Sequence, residues 1–256
     1  MKEINKTWLR EGFKEKCNIR KISELSNIDK SLYEAYCDVF NGAPFYESWN
    51  TDSAKKVIDG YIGNDTTILV ADYLSKAAGF LVTINGIPKD QIKYVNLLDT
   101  IFIEEVGVIN ELRGNRIASE LVRILLNDLD NSTRYIGYRT NAMRYFEISD
   151  RESFESMAMR IQMEDKIKRL NGEKIIIPDF TDNEKQAFIN KYIELISYRP
   201  DLDVSNSSAL LRDVFGIIDY NKDGNNYTFQ KDPTGEGNDR IFPYVDLSKI
   251  LLKRRG

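Results

Sequence analysis

The residues from Asp99 to Leu126 have the pattern of a strand, a tight turn and a helix that together could bind an anion. The strand ends at about Val108, and Arg113 and Gly114 form the turn before an amphipathic helix. A helix N-terminus exposes unpaired N–H groups and about half a positive charge, so this turn predicts an anion-binding nest. Gly114 lets the backbone approach a ligand and Ala118 keeps the helix start uncrowded, so a pyrophosphate fits there.

The sequence contains no histidine, which limits the acid–base chemistry available to the chain. Ser-His-Asp triads, Cys-His dyads and His-ligated metal sites are excluded. Proton transfer must therefore use Asp, Glu, Tyr, Lys, Cys, the backbone or water. The two cysteines, Cys17 and Cys37, suit neither a disulfide framework nor a cysteine-rich zinc site. We expect no metal site, and a reducing cytoplasmic compartment.

Charge and hydropathy narrow the class of partner. The chain has 36 basic and 40 acidic residues and a net charge of −4, which argues against a broadly basic nucleic-acid-binding protein. No apolar run approaches the roughly 18 residues that span a membrane. Met1–Lys16 is charged throughout and has no apolar signal-peptide core. We therefore expect no membrane association, and the composition argues against a nucleic-acid partner without excluding a local basic patch.

Hydrophobic periodicity predicts that the segment from Asp99 to Leu126 is part of a chain in which strands and helices alternate. The predicted order up to residue 150 is β-α-α-β-β-β-α-β-α. Strands are predicted over 18–23, 66–71, 77–84, 94–109 and 135–138, and helices over 28–40, from a cap at Thr51 or Asp52 to 61, over 112–129 and over 141–148.

The composition changes near residue 150, which predicts a domain over 1–150 and a C-terminal extension or small domain over 151–256. Helices are predicted over 151–170, 182–197 and 207–218, a short strand over 174–177, turns over 219–240, and a strand or helix over 241–252. The fold class is thus α/β (α+β), with an additional, mainly helical C-terminal segment.

Roughly residues 18 to 150 resemble the GNAT family of N-acetyltransferases. The family signature, Arg/Gln-x-x-Gly-x-Gly/Ala after the fourth strand, corresponds to Arg113–Ala118. Gly79-Phe80-Leu81 on the third strand and Asn141–Glu147 after the fifth are also similar to family segments. Two positions depart from the pattern. Arg116 replaces the first signature glycine, and Phe146 occupies the position at which the family often has a tyrosine that acts as general acid. A backbone with positive φ would strain Arg116, whereas a helical one would tolerate it.

The resemblance implies a mostly antiparallel central sheet flanked by helices, and acetyl transfer from acetyl-CoA to an amine. It implies that a main-chain N–H at or beside Val108 meets the acyl oxygen. The residues it assigns to the coenzyme are Val106, Val108, Arg113, Gly114, Asn115, Arg116, Ile117, Ala118, Ser119 and Asn141.

Members of the family often have, on the fourth strand, a glutamate that acts as the general base. Here Glu104 and Glu105 are the candidates for this role. Side chains alternate along a strand, so these two face opposite ways. Glu104 has the parity of Phe102 and Val108 and is favoured, although a bulge would exchange the two. Either glutamate could instead face solvent and pair with a neighbour.

Tyr145 and Tyr138 are the candidates for a general acid, and each could equally be a packing residue. Phe45, Tyr46 and Trp49 lie in a loop that borders the acceptor pocket in the family. Together with Glu47, their rings could bind a cationic amine, or they could simply pack the helices together.

The sequence therefore predicts an N-acetyltransferase that uses acetyl-CoA as co-substrate and a small-molecule amine as acceptor. A protein or aminoacyl-tRNA acceptor is the first alternative. A degenerate GNAT fold that binds coenzyme A or a partner without chemistry is the second. A homodimer is compatible with the sequence, and the C-terminal segment could complete the acceptor pocket or form an interface.

Overall fold

The structure is a computed structural model. It describes residues 6–42, 47–63, 65–95, 97–141, 181–203, 206–231 and 239–252. The chain divides into two compact units, one of Met1–Ile87 with Leu98–Ile136, the other of Pro88–Leu97 with Gly137–Gly256. Among the helices described, none combines the length and apolar character needed to cross a membrane.

The first unit is built on a twisted set of neighbouring strands in chain order. Its strands are β1 (Cys17–Ile22), β2 (Thr66–Tyr73), β3 (Lys76–Asn85), β4 (Thr100–Val108) and β5 (Tyr135–Tyr138), whose last two residues belong to the second unit. The pairs β1–β2, β2–β3 and β3–β4 are antiparallel. β2 and β3 are buried along most of their length because apolar residues occupy both of their faces. The predicted mixed, mostly antiparallel sheet flanked by helices is confirmed.

Three helices cover the sheet of the first unit: α1 (Lys30–Asn41), α2 (Thr51–Tyr61) and α3 (Ile117–Asp128). α1 and α2 pack with Phe80 and Val82 of β3, whereas a side chain at Gly79 would meet Ile117 of α3. Because neighbouring residues of a strand face opposite ways, α3 lies on the other face of the sheet.

Two sequence predictions about these helices need correction. Asn50, not Thr51 or Asp52, caps α2, since its side chain accepts from the Ser53 amide in a capping box. The helix predicted from Leu112 begins only at Ile117, because a 3-10 turn and two residues with positive φ precede it.

The strand predicted over residues 94–109 is shorter than expected. β4 begins at Thr100, and Gln91–Tyr94 form a turn in which the Tyr94 amide donates to the Gln91 carbonyl. Tyr94 of this turn packs in the second unit, where its ring stacks on Phe242, whereas Ile92 is exposed. Burial thus imitated a strand pattern in a segment that is a turn.

The second unit contains α4 (Asp182–Tyr198), α5 (Asn206–Phe215) and α6 (Leu247–Leu252). Its short strands are β6 (Thr140–Asn141), β7 (Asp219–Tyr220), β8 (Lys222–Asp223), β9 (Asn226–Tyr227), β10 (Phe229–Gln230), β11 (Arg240–Ile241) and β12 (Pro243–Asp246). The apolar face of α4 forms a core with Tyr220 and Ile241. The described residues of the predicted turn-rich region therefore contain four two-residue strands and the first residue of β11. The last predicted element includes a strand followed by a helix.

The helix predicted from Asn141 does not begin there, because Asn141 pairs with Arg240 in β6. The rest of that helix, the helix over 151–170, the strand over 174–177 and the predicted boundary near residue 150 lie outside the described residues.

Candidate active site

The turn between β4 and α3 has the backbone geometry of an anion nest. Gly114 has a φ of 80° with no atom within 4 Å of a side chain added there. Arg116 is the residue before the helix and has a φ of 66° and a ψ of 21°. The side chain of Arg116 itself makes no capping hydrogen bond to α3. The first amides of a 12-residue helix thus face an exposed turn, which suits a phosphate.

Arg116 takes the left-handed conformation, the strained possibility that its replacement of a signature glycine raised. Such a conformation costs a non-glycine residue about 1–3 kcal/mol. Its side chain is exposed, and the neighbouring Arg113 turns back so that its Nε donates to the Val108 carbonyl at 3.0 Å. The Asn115 side chain closes the turn by donating to the Leu112 carbonyl.

The end of β4 directs two amides away from β3. The Ile109 amide donates to the Ala78 carbonyl of the preceding β3 region at 3.0 Å. Amide direction alternates along a strand, so the N–H groups of Val108 and Val106 point to the other side of β4. Arg113 reaches the Val108 carbonyl from that same side, which agrees with this assignment.

A bulge in β4 separates the two candidate glutamates. Val82 of β3 is paired with Glu105, whereas Thr83 is paired with Ile103, so Glu104 is the extra residue. The alternation of side chains shifts at this point. Glu105 therefore points to the face covered by α1 and α2, as Phe102 does, so the expected shared parity of Glu104 and Phe102 is wrong. The parity that Glu104 shares with Val108 is not changed by the bulge.

Glu105 is held by two tyrosines from two different helices. The Tyr36 hydroxyl of α1 donates to Glu105 Oε1 at 2.9 Å, and the Tyr61 hydroxyl of α2 donates to the same oxygen at 3.0 Å. Burial, then the charge of Glu105 and its hydrogen bond, raise the pKa of Tyr36 far above the usual value. Tyr36 is thus a neutral hydrogen-bond donor at neutral pH.

Aromatic rings fix the orientation of Tyr36. Its ring stacks on Phe80 at 5.5 Å between centroids and meets the edge of Trp49 at 5.1 Å. Trp49 is itself held, since Asn41 Oδ1 accepts its amide at 2.6 Å and its Nε1 donates to Glu47. The predicted acceptor residue Trp49 therefore lies next to the tyrosine that binds Glu105.

The start of α3 is tied to the N-terminal segment. Glu120 is 4% exposed, and its carboxylate accepts from the Trp8 amide at 2.7 Å, the Thr7 hydroxyl at 2.9 Å and Arg123. Burial by itself would raise the pKa of Glu120, but these donors together lower it below the usual value. The Arg10 amide also donates to the Asn115 carbonyl, so the N-terminal segment contacts the turn as well as the helix.

The other predicted site residues are distributed over both units. Ile117 and Ser119 are buried and Ala118 is half-buried, all in the first turn of α3. Asn141 lies in β6 of the second unit, and Tyr138 is buried with its hydroxyl on Ser208. Phe45, Tyr46 and Tyr145 lie outside the described residues.

Tyr36 and Tyr61 were not recognised in the sequence. Tyr36 has the helical spacing of a core residue beside Leu32 and Val39, and its burial agrees with that interpretation. The separations of 69 and 44 residues from Glu105 leave no local signal for a shared hydrogen bond. A tyrosine instead of phenylalanine on a buried helix face is the only hint, since a buried hydroxyl needs a partner.

No protein-family model matches the sequence, and neither does any curated protein. Among solved structures, the chain is similar to a GNAT-family protein from Chromobacterium violaceum at 13% identity, with a TM-score of 0.48 and coverage of 91% of this chain and 88% of that one. It is similar to ribosomal-protein-alanine N-acetyltransferase from Brucella melitensis at 12% identity and a TM-score of 0.47, over 90% of this chain and 99% of that one.

A third similar structure is an aminoglycoside 6'-N-acetyltransferase complexed with coenzyme A, at 10% identity and a TM-score of 0.45, over 90% of this chain and 97% of that one. At such low identities these similarities concern the fold alone. Most of the similar structures are acetyltransferases, and two of them are described as members of the GNAT family, which the Arg113–Ala118 motif resembles.

Proposed function

We propose that the protein is an N-acetyltransferase that transfers an acetyl group from acetyl-CoA to a primary amine, with a small cationic amine as acceptor. The observation that carries this proposal is the position of Glu105. Two tyrosine hydroxyls hold this carboxylate in place. Glu105 itself lies on β4, the strand that precedes the turn at Gly114. A proton acceptor and an anion nest are thus joined by a few residues of one strand.

The residues of the turn fit the pyrophosphate of the co-substrate. The uncapped amides of Ile117, Ala118 and Ser119 and the exposed Arg116 offer donors and positive charge. The amides of Val106 and Val108, directed away from β3, suit an extended amide-containing arm and the acyl oxygen. Arg113, Asn115 and Asn141 remain predicted coenzyme contacts.

In the proposed reaction, Glu105 accepts one proton from the acceptor ammonium, because only a neutral amine can attack. The nitrogen then forms a bond to the acetyl carbon while the Val108 amide donates to the oxygen that gains charge. The carbon–sulfur bond breaks, its electron pair leaves on sulfur, and sulfur takes the second proton from nitrogen. The products are an N-acetyl amine and a free thiol, and Glu105 returns its proton to water.

The aromatic side chains support a cationic acceptor. Trp49 and Phe40 lie beside Tyr36, and the exposed Glu47 adds a negative charge near these rings. Phe45 and Tyr46 are proposed to belong to the same acceptor site. Cys17 and Cys37 are both free, which supports a reducing, cytoplasmic environment.

The proposal is tested by two measurements on the full chain. We expect calorimetric titration to detect coenzyme A and acetyl-CoA binding at micromolar concentrations, and we expect thiol release from acetyl-CoA with at least one member of a panel of small primary amines. The same panel without enzyme, and N-methylated tertiary amines, serve as controls. Binding without thiol release for any amine would favour the degenerate GNAT fold.

One observation favours that alternative enough to test it directly. Arg116 occupies a left-handed position where the resemblance implies glycine, so strain or side-chain bulk could close the nest. If the wild-type chain does not bind coenzyme A at millimolar concentration while Arg116→Gly does, the nest is present but closed. If neither chain binds, the coenzyme assignment is wrong.

A further inference from the structure

We propose that Tyr36 and Tyr61 are positioning residues that hold the Glu105 carboxylate in the orientation that accepts the proton of the acceptor amine. This inference rests on the proposed function and goes beyond it, because it assigns the control of the proton acceptor to two helices. The residues concerned lie in α1, α2 and β4, all within the first unit.

The convergence of the two hydroxyls requires three separate elements. Tyr36 lies in the middle of α1 and Tyr61 is the last residue of α2, yet both donate to the same atom, Glu105 Oε1. The bulge at Glu104 turns Glu105 towards these helices. With a regular β4, the glutamate on this face would be one residue earlier.

The surroundings of Tyr36 leave its hydroxyl little freedom. The residue is 2% exposed, its ring stacks on Phe80, and Phe40 and Trp49 pack on its other sides. A phenol fixed in this way transmits the position of α1 to the carboxylate. Packing alone needs only the ring, so a phenylalanine would satisfy the core equally well.

The hydrogen bonds also have a chemical consequence. Donors to the charged form of a carboxylate favour that form and lower its pKa, whereas burial raises it. In the described part of the chain, the titratable groups that contact this carboxylate include Tyr36 of α1 and Tyr61 of α2; Glu47 acts on Tyr36, and Glu104 is adjacent on β4.

The test compares Tyr36→Phe and Tyr61→Phe with the wild type. Each variant keeps the ring and removes one donor, so we expect the Glu105 pKa to rise by about one pH unit. The acid limb of the pH profile of kcat/KM should move up by the same amount. We expect kcat to fall about tenfold, while KM for acetyl-CoA stays within about twofold because the nest is unchanged.

Tyr33→Phe is the matched control. Tyr33 is on the same helix, and its hydroxyl donates to the Asp59 carboxylate at 2.9 Å, so this variant also removes a phenol–carboxylate hydrogen bond. It should leave kcat and the pH profile unchanged. Thermal unfolding of all three variants measures the cost in stability, and Glu105 is also titrated by NMR, with its signal assigned from Glu105→Gln.

The outcomes separate this inference from the proposed function. If the wild type transfers no acetyl group to any amine tested, the proposed function fails, and the wild-type assay alone shows it. If the wild type is active but neither Tyr36→Phe nor Tyr61→Phe shifts the Glu105 titration or the kinetic pH profile, the positioning role is wrong. A shift in the NMR titration with unaltered kinetics also overturns it, because the hydrogen bonds would then be structural only.

Discussion

Glu104 and Glu105 are neighbours in the sequence with different surroundings in the fold. Glu104 is the bulged residue of β4, whereas Glu105 pairs with Val82 and binds Tyr36 and Tyr61. The extra residue changes which side chain faces the helices, and a bulge of this kind often redirects a side chain near a functional site. At the residue scale, the bulge therefore decides which of the two carboxylates faces α1 and α2.

Conservative substitution of each glutamate tests this assignment. Glu105→Gln should lower kcat for amine acetylation by about 100-fold or more, because the amide cannot accept a proton, and this value is typical of a lost general base. Glu104→Gln should change kcat by less than about threefold. Steady-state thiol release measures both. The reverse ranking of the two variants would return the role to Glu104.

At the scale of elements, α3 depends on a segment far away in the sequence. The carboxylate of Glu120 joins the N-terminal segment at Thr7 and Trp8 to Arg123 of the same helix. This buried cluster lies one turn after Arg116, so it fixes the end of α3 that carries the nest. The helix start thus has no side-chain cap of its own but is held by tertiary contacts.

Glu120→Gln should lower the free energy of unfolding by about 2 kcal/mol at neutral pH, since hydrogen bonds to a charged group contribute about 1.5–3 kcal/mol. The folded-state pKa of Glu120 is lowered from 4.5, so its contribution is complete above that pH and is lost as the pH falls through the folded value. The difference between wild type and variant, measured by urea unfolding, should therefore shrink on acidification below about pH 4.5.

Glu34→Gln is the comparison for this prediction. Glu34 forms an exposed ion pair with Lys30 on α1, so the variant should cost at most about 0.5 kcal/mol. If Glu120→Gln is equally mild, or if its cost grows in acid, the Glu120 cluster does not stabilise α3 as described.

At the scale of the whole molecule, binding at the nest should be visible in thermal unfolding. A ligand that binds only the folded chain stabilises it by about 2.7 kcal/mol at 100 times its dissociation constant. We expect coenzyme A at that concentration to raise the unfolding midpoint by about 5–10 °C. Gly114→Val should remove most of this increase, because the turn needs a φ of 80° that a β-branched residue avoids.

Gly63→Val separates the effect on the ligand from the effect on the backbone. Gly63 also has a positive φ, 90°, with open space around it, and it lies outside the nest. Both variants should lower the midpoint of the ligand-free protein, but only Gly114→Val should reduce the increase caused by coenzyme A. An unchanged increase in Gly114→Val would show that the coenzyme binds elsewhere.

Elements with strong, local hydrophobic periodicity could be predicted from the amino-acid sequence alone. The paired runs of β2 and β3, the helical spacing of α1 and the turn at Gly114 were all predicted close to their observed bounds. The fold class follows from their order, because apolar faces of that spacing can be buried only by a sheet with helices against it. The turn with positive φ at Gly114 was also predictable, since it depends on consecutive residues, and its anion-binding role stays a prediction.

The contacts between side chains that are distant in the sequence could be seen only in the folded chain. The bulge at Glu104 depends on how β4 pairs with β3, and the left-handed conformation of Arg116 depends on the contacts around α3. The contact of Tyr36 and Tyr61 with Glu105 joins residues 69 and 44 positions apart. Local pattern carries no information about such pairs, because a buried tyrosine on a helix has the same periodicity whether its hydroxyl finds a water, a carbonyl or the carboxylate of a glutamate.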